Sequence, residues 1–241
     1  MLSLVVPLYN EEENVTPVAT ALLQALRGTG IPFELILVDN GSRDGTAPAI
    51  DALRESCPEV RKVTVEVNQG FGWGVLQGLA AAKGDLVGYM GGDGQIDPSD
   101  VVRVVRRLER GDVPLAKVRR VRRQDGFLRL LVTLAANLLF RLLFGLRTTD
   151  VNGTPKIMRR ALYQELDLRS RDWFVDAEVM IKCRRRRVPL AEVDVTFLPR
   201  ERGTSNVRLS TLAEFLGNIL RTLAGTHGTP SGRDAGPGTG E

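Results

Sequence analysis

Short apolar runs alternate with amphipathic stretches over the first half of the chain. Leu2–Tyr9, Phe33–Val38 and Val60–Val67 are rich in Leu, Val and Ile, which is typical of strands buried on both faces. After the first run, apolar residues recur at spacings of three and four as far as Leu26, and Gly28 then ends the pattern. Helical stretches also follow the other two runs. This order predicts an α/β fold with a mostly parallel sheet and helices on both faces.

A fourth apolar run, Asp85–Met90, leads into the acidic, glycine-rich turn G-G-D-G-Q at Gly91–Gln95. The glycines leave the backbone bare around one carboxylate, Asp93, and one amide, Gln95. Oxygen ligands of this kind, with positions left open for phosphate oxygens, suit Mg²⁺ or Mn²⁺. The alternative is an ordinary β-turn with a solvent-facing aspartate, because Gly and Asp are common in turns.

Polar residues follow each predicted strand at the point where it ends. Ligands of parallel sheets bind beyond the carboxyl ends of the strands, so four loops should converge on one edge. These loops contain Tyr9–Glu11, Asp39–Asn40, Asn68–Gly72 and Gly91–Gln95. Neither a G-x-G-x-x-G after the first strand nor a P-loop motif is found, which excludes the usual dinucleotide and P-loop sites. Asp97 before Pro98 is the expected cap of the next helix.

The composition bears on phosphate binding and on the cellular compartment. The 241 residues include 33 Lys and Arg against 29 Asp and Glu, and only five of the basic residues are Lys. The arginine fork suits phosphates, although a GC-rich genome gives the same bias. Two cysteines without a motif indicate a reducing compartment. We find no signal-peptide pattern and no uninterrupted apolar run of spanning length, so we expect a cytoplasmic protein.

A basic cluster follows the capped helix and is a candidate phosphate site. It contains Lys117, Arg119, Arg120 and Arg123 and continues to Arg129. On a strand from Leu115, alternate residues such as Lys117 and Arg119 share a face. The alternative is a solvated run of charges.

The stretch Phe127–Leu146 predicts a helix with a narrow polar stripe and otherwise leucine-rich faces. It is either a core or dimer helix, or it lies at a membrane interface with arginines that reach the headgroups. A second amphipathic helix is expected over Thr211–Leu223. We predict one domain over residues 1–225 and a disordered tail over 226–241, where the only histidine lies at its start.

Asp176 and Glu178 form a second pair of carboxylates near the start of a helix. Two positions apart on a helix, they cannot face the same way, so at most one should point into the site. The polar loop that begins at Arg200 could close over a phosphate.

Taken in order, the motifs resemble the inverting family 2 glycosyltransferases, nearest to the polyprenyl-phosphate (dolichol-phosphate mannose synthase-like) branch. The motifs are V-V-P-L-Y-N-E, V-D-N-G-S-R-D-G-T, N-Q-G-F-G, G-D-G-Q, D-V-N-G-T-P-K, D-W-F-V-D-A-E and R-E-R-G-T-S, between residues 2 and 223. The resemblance implies a GT-A fold, a nucleotide-diphosphate-sugar donor and Mg²⁺ or Mn²⁺. It also implies that Asp93 and Gln95 meet the metal and that Arg200, with the loop 203–205, covers the diphosphate.

The nucleotide site implied by the resemblance includes Pro7, Tyr9, Glu11 and Asp39, to which we add Asn40 and Gly92.

One departure from the family pattern concerns the metal loop. Relatives usually carry Asp-x-Asp before the Gln, and this chain has Gly91 in place of the first Asp. We therefore expect weaker metal binding that depends on the donor diphosphate. Asn40, where a second Asp is common, is a smaller departure.

The acceptor decides which other residues are needed. A phosphate acceptor is already anionic, and it would be positioned by Lys117, Arg119, Arg120, Arg123, Arg129, Arg202 and Ser205. A sugar hydroxyl would instead need Asp176 or Glu178 as base. We expect a polyprenyl phosphate, contact with the inner face of the cell membrane, no nucleic acid, and either a homodimer or a membrane partner protein. A nucleotidyltransferase and a non-catalytic nucleotide-binding protein are the alternatives.

Overall fold

The computed structural model describes residues 1–123, 137–200 and 217–222. The strands are β1 Leu2–Leu8, β2 Phe33–Asn40, β3 Val60–Val65, β4 Leu86–Tyr89, β5 Leu115–Arg123, β6 Lys156–Arg159 and β7 Leu190–Phe197. The helices are α1 Glu12–Arg27, α2 Thr46–Ser56, α3 Phe71–Ala81, α4 Pro98–Glu109, α5 at residues 137–144, α6 Arg160–Leu166 and α7 Val175–Arg185.

The described strands form one seven-stranded sheet in the order β3-β2-β1-β4-β6-β5-β7. β1 pairs in parallel with β2 and β4, β2 with β3, and β5 with β7, whereas β6 runs antiparallel to both of its neighbours. The predicted fold class, a mostly parallel α/β sheet of the GT-A type, is confirmed. The central parallel strand β1 is buried along its whole length because the sheet is covered on both faces, whereas β3, β5 and β7 also carry charged residues.

Two hydrophobic clusters cover the two faces of the sheet. Alternate residues of β1 divide between them: Val6 packs against the face covered by α1, α2 and α4, and Val5 packs against the face covered by α3, α6 and α7. Asp97 caps α4, because its Oδ1 accepts from the backbone N–H of Ser99 at 2.8 Å. This contact agrees with the structural role that the sequence indicates for Asp97.

β6 and α6 are not predicted by the sequence patterns. β6 has four residues and begins with a lysine, so its apolar signal is limited to Ile157 and Met158. The chain forms two compact units, residues 1–204 and 205–241. In the second unit the described residues, 217–222, are helical. The predicted boundary at residue 225 and the tail from 226 lie outside the described residues.

Candidate active site

The first two loops at the carboxyl edge of the sheet are cross-linked by their own side chains. Pro7 and Leu8 lie level with Val38 and Asp39 in the β1–β2 register. The backbone N–H of Glu11 donates to Thr46 Oγ1 at 2.9 Å. Similar bonds join Asn10 to Ser42 and Arg43, and Glu12 to Asp44. The residues expected to hold a nucleotide therefore lie on one preformed edge.

Asp39 and Asn40 are both buried at the end of β2. Asp39 Oδ1 accepts from the backbone N–H of Ser42 at 3.0 Å, and Asn40 Nδ2 donates to the carbonyl of Gly70 at 3.0 Å. Asn40 Oδ1 is buried without a hydrogen-bond partner. Asn40 thus ties the end of β2 to the loop before α3, while Tyr9 is half-buried beside it at the end of β1.

The acidic loop after β4 has one half-buried carboxylate, Asp93, whose Oδ1 accepts from the backbone N–H of Gln95 at 3.2 Å. Gly92 is needed for packing, since a Cβ there would lie 2.4 Å from Leu8 Cδ2. Gln95 is buried, and its Nε2 donates to the carbonyl of Leu198 at 2.9 Å. Together with the Leu198 N–H to Gln95 O bond of 3.0 Å, this contact joins the metal loop to the end of β7.

Arg200 lies at the same edge, two residues beyond that junction. Its guanidinium forms an ion pair with Glu11, and the other oxygen of Glu11 accepts from Asn14 Nδ2 at 2.6 Å. Two residues that the resemblance assigns to the donor, one near its nucleotide and one near its diphosphate, are therefore in direct contact. Arg202 and Ser205, on the following loop, lie outside the described residues.

Asp176 and Glu178 are both buried, so neither presents a free carboxylate at the surface. Asp176 Oδ1 accepts from the hydroxyl of Tyr89 at 2.9 Å and forms an ion pair with Lys156. Glu178 accepts from the backbone N–H groups of Arg169 and Ser170, and it pairs with Lys182 at 2.5 Å.

The three residues of the basic cluster whose side chains the structure describes are ion-paired. Lys117 is fully buried, and its Nζ contacts the carbonyls of Val118 and Asp150 and the Glu192 carboxylate. Burial lowers the pKa of Lys117, although the negative charges of Asp150 and Glu192 act to raise it. Because the β5–β7 register aligns Lys117 with Glu192, this pairing is built into the sheet. Lys117 therefore lies paired in the interior and does not present a surface charge.

Two arginines of the cluster also have acidic partners. Arg119 makes two bonds to Asp194, of 2.6 and 2.8 Å, near the surface. Arg120 makes a buried bidentate pair with Asp150. Burial would raise the pKa of Asp150, but the hydrogen bonds and charge of Arg120 outweigh it and lower that pKa to about 2. β5 includes Arg123, and Arg129 lies outside the described residues.

A buried polar network that the sequence analysis did not identify underlies this edge. Burial lowers the pKa of Lys156 to about 8, opposed by the charge of Asp176. Lys156 and Lys117 are register partners, and Lys156 also pairs in register with Tyr89. Both Asp150 and Lys156 belong to the motif D-V-N-G-T-P-K, which was the sequence feature from which these two residues could have been identified.

α5 carries part of the leucine-rich surface expected from the sequence. Leu138 and Leu142 are 57% and 73% exposed, while Phe140 is buried against Phe174 with ring centroids 6.3 Å apart. Asn137, from the predicted polar stripe, donates to the carbonyl of Thr149 and accepts from a backbone N–H of the same loop. None of the described helices combines the length and apolar character needed to cross a bilayer.

The oxygen ligands at the metal loop suit a cation whose coordination is completed by the phosphates of a bound ligand. Within the described residues, no three acidic, histidine or cysteine side chains cluster as a metal site. Asp93 is half-buried, and the space beside it at Gly91 is open. Mg²⁺ and Mn²⁺ are commonly held by one or two carboxylates with substrate phosphates and water, so a single aspartate fits such an ion when a diphosphate is present.

Known proteins resemble the chain in both sequence and structure. The family model "Glycosyl transferase family 2" matches residues 3–167. A dodecaprenyl-phosphate galacturonate synthase of Rhizobium johnstonii is 32% identical over 227 residues, which cover 92% of this chain and 66% of that protein. An undecaprenyl-phosphate 4-deoxy-4-formamido-L-arabinose transferase of Pectobacterium atrosepticum is 30% identical, and the match covers 93% of this chain and 68% of that protein. The chain thus spans about two thirds of the length of these relatives.

Among solved structures, the chain resembles glucosyl-3-phosphoglycerate synthase from Mycobacterium tuberculosis in complex with Mn²⁺, uridine diphosphate and phosphoglyceric acid. The TM-score is 0.73 at 24% identity, over 96% of this chain and 80% of that one. This likeness concerns the fold.

Proposed function

Because the chain belongs to glycosyl transferase family 2, we propose that it transfers a sugar from a nucleoside-diphosphate sugar to a polyprenyl phosphate, with inversion and with assistance from a divalent metal. The family predicted from the sequence motifs is thus confirmed. Two relatives at 32% and 30% identity are named for sugar transfer to dodecaprenyl or undecaprenyl phosphate, which supports the choice of acceptor.

The observation that carries the proposal is the state of the two candidate bases. Asp176 is bonded to Tyr89 and Lys156, and Glu178 caps backbone N–H groups. Taking a proton from a sugar hydroxyl would require either carboxylate to leave these buried partners. A phosphate acceptor is ionised at neutral pH and needs no such base, so it is the acceptor that fits these two carboxylates.

The donor would lie along the cross-linked edge. Pro7, Tyr9 and Asp39 border the nucleotide end, and Asp93 borders the diphosphate. Arg200 would exchange Glu11 for the diphosphate, because a diphosphate carries more charge than one carboxylate and can accept two hydrogen bonds from the guanidinium. A bound Mg²⁺ or Mn²⁺, held by Asp93 with Gln95 beside it, supplies charge neutralisation for the leaving diphosphate.

In the transfer step, an oxygen of the acceptor phosphate forms a bond to the anomeric carbon from the face opposite the diphosphate. The bond from that carbon to the diphosphate oxygen breaks, and the nucleoside diphosphate leaves with the electron pair. This single displacement inverts the anomeric configuration. Arg200 acts by stabilising the departing charge.

Among the proposed acceptor-binding residues whose side chains the structure describes, Arg119 is the most exposed. Its side chain is 36% exposed, and its partner Asp194 is 48% exposed. Because both partners are open to water, a phosphate can reach the guanidinium and compete with Asp194 for it. Arg120 pairs with a buried carboxylate and is less available. The roles of Arg123, Arg129, Arg202 and Ser205 stay proposals.

We place the protein at the inner face of the cell membrane. Leu138 and Leu142 of α5 are exposed beside Arg141, and Arg147 is exposed just after the helix. Leucines flanked by arginines suit a helix that lies in the interface and contacts anionic headgroups. This contact would bring a lipid-linked phosphate to the basic strand β5.

The test is to supply the purified protein with undecaprenyl phosphate, Mn²⁺ and a panel of nucleotide sugars. We expect a glycosylated lipid phosphate and an equal amount of nucleoside diphosphate, with the opposite anomeric configuration by NMR. Release of pyrophosphate would indicate a nucleotidyltransferase. Transfer only to saccharide hydroxyls, or nucleotide binding without turnover, would each contradict the proposal.

A further inference from the structure

Two loops at the carboxyl edge of the sheet interlock. The loop before α3, together with the first turn of α3, approaches the loop before α7 so closely that a Cβ on Gly72 would lie 2.4 Å from the carbonyl oxygen of Ser170 and 2.6 Å from that of Asp172. The backbone N–H of Trp73 donates to the carbonyl of Arg171 at 2.7 Å. These contacts join the two loops into one wall.

Two aromatic rings are stacked on this wall. The rings of Phe71 and Trp173 are nearly parallel, with an interplanar angle of 5° and centroids 4.5 Å apart. Phe71 in turn contacts Tyr89 of β4 edge-on at 6.5 Å. Trp173 is 36% exposed. One face of the indole is therefore held by Phe71, and a large apolar side chain stays open to solvent.

The position of this stack follows from the order of the strands. Asn40 at the end of β2 bonds Gly70, and from there the chain crosses β1 so that Phe71 reaches Tyr89 of β4. The stack thus lies on the β4 side of the edge, away from Asp39. A donor with its base near β2 and its diphosphate at the β4 loop would carry its sugar toward this side.

We infer that Trp173 is the platform on which the sugar ring of the donor packs, and that it contributes to the choice of sugar. This inference rests on the proposed function. A pyranose ring has a face of C–H groups that packs on a flat aromatic ring. Because Phe71 fixes the indole in one orientation, little side-chain entropy is lost when the sugar binds. A sugar with an axial hydroxyl on the packing face would fit less well.

The test compares binding of nucleotide sugars and of nucleotides alone. The probes are UDP-glucose, UDP-galactose, UDP-galacturonate and GDP-mannose, each with its own diphosphate, titrated calorimetrically with Mn²⁺ into the full chain. Trp173→Ala should weaken binding of the accepted sugar nucleotide by about three- to tenfold and leave binding of the diphosphate unchanged. Trp173→Phe should restore most of the loss, since it keeps a flat ring.

Trp73 offers a matched control, because it is the other tryptophan of the chain and its ring is covered by Arg171 at 4.6 Å. Trp73→Phe should bind every probe as the wild type does. In that variant Trp173 is the only tryptophan, so its fluorescence should change with the sugar nucleotide and not with the diphosphate. Thermal melting of each variant checks that it is folded.

The outcomes separate this inference from the function on which it rests. If the wild type binds a sugar nucleotide but Trp173→Ala loses sugar and diphosphate binding equally, or loses neither, the platform is wrong and the transferase proposal stands. If the wild type binds none of the four sugar nucleotides more tightly than their diphosphates and transfers nothing, both fail. Loss only of turnover with undecaprenyl phosphate would assign Trp173 to the acceptor and overturn the inference.

Discussion

A second carboxylate can be restored to the metal loop at Gly91. Its backbone is not in the left-handed region, and the atoms nearest to a Cβ there would be those of the Asp93 carboxyl group, with Oδ1 at 3.7 Å and Oδ2 at 3.9 Å. A Gly91→Asp side chain would therefore enter the space beside Asp93 without a clash. Gly92 offers no such room, because its Cβ would strike Leu8.

The size of the effect can be estimated from simple electrostatics. Two carboxylates that share one ion repel by about 1 kcal/mol in water at a separation of about 4 Å, so Gly91→Asp should be slightly less stable without metal. An added ionic ligand should contribute about 1.5 to 3 kcal/mol, by comparison with charge-assisted hydrogen bonds. This corresponds to Mn²⁺ binding that is about tenfold to a hundredfold tighter than in the wild type.

The assay is calorimetric titration of Mn²⁺ into the wild type, Gly91→Asp and Gly91→Asn, each with and without UDP. The Asn variant has the same shape without the charge and should bind Mn²⁺ nearly as the wild type does. We expect weak binding to the free wild type and stronger binding with UDP, since the phosphates complete the ligand set. Equal affinities for the Asp and Asn variants, or no effect of UDP on the wild type, would refute this reasoning.

Three further predictions concern catalysis, stability and the membrane. Asp93→Ala should abolish transfer with an unchanged melting temperature, and near-normal turnover would contradict its role. Because the pKa of Asp150 is lowered to about 2, its pairing with Arg120 stabilises the fold above about pH 4 and is lost as the pH falls through 2. The stability gap between wild type and Asp150→Asn, from urea unfolding, should therefore shrink by about 2 kcal/mol over that range, and a constant gap would contradict it. Changing Leu138 and Leu142 to Ser should reduce flotation with anionic vesicles without lowering the melting temperature, whereas a core or dimer role predicts the reverse.

The first half of the fold was readable from the sequence because parallel strands covered on both faces appear as continuous apolar runs. The run at Leu2–Leu8 is an example, and α1 was predicted separately from apolar residues at helical spacing that stop before Gly28. β6 was missed because a lysine occupies its first position, and a buried lysine is tolerated only with a counter-charge. That charge, Asp176, comes from 20 residues further along the chain.

The candidate site was predicted less completely for a related reason. The sequence indicated the acidic loop around Asp93, because the glycines and the aspartate are adjacent. It indicated a basic cluster, but it did not reveal that Lys117 and Arg119 are ion-paired, since Glu192 and Asp194 are aligned with them only by the β5–β7 register. Pairings across strands that are 75 residues apart leave no local pattern.

The interlocked loops before α3 and α7 bear on how such a site can be re-engineered. Gln69 and Arg171 are in contact although 102 positions separate them. A graft of residues 68–73 from another enzyme would meet the carbonyls of Arg171 and Ser170, which leave no room for a side chain at Gly70 or Gly72. Chimeras that exchange both segments together should fold, and chimeras that exchange one should not. The two segments are therefore expected to behave as a single cassette under selection for a new donor.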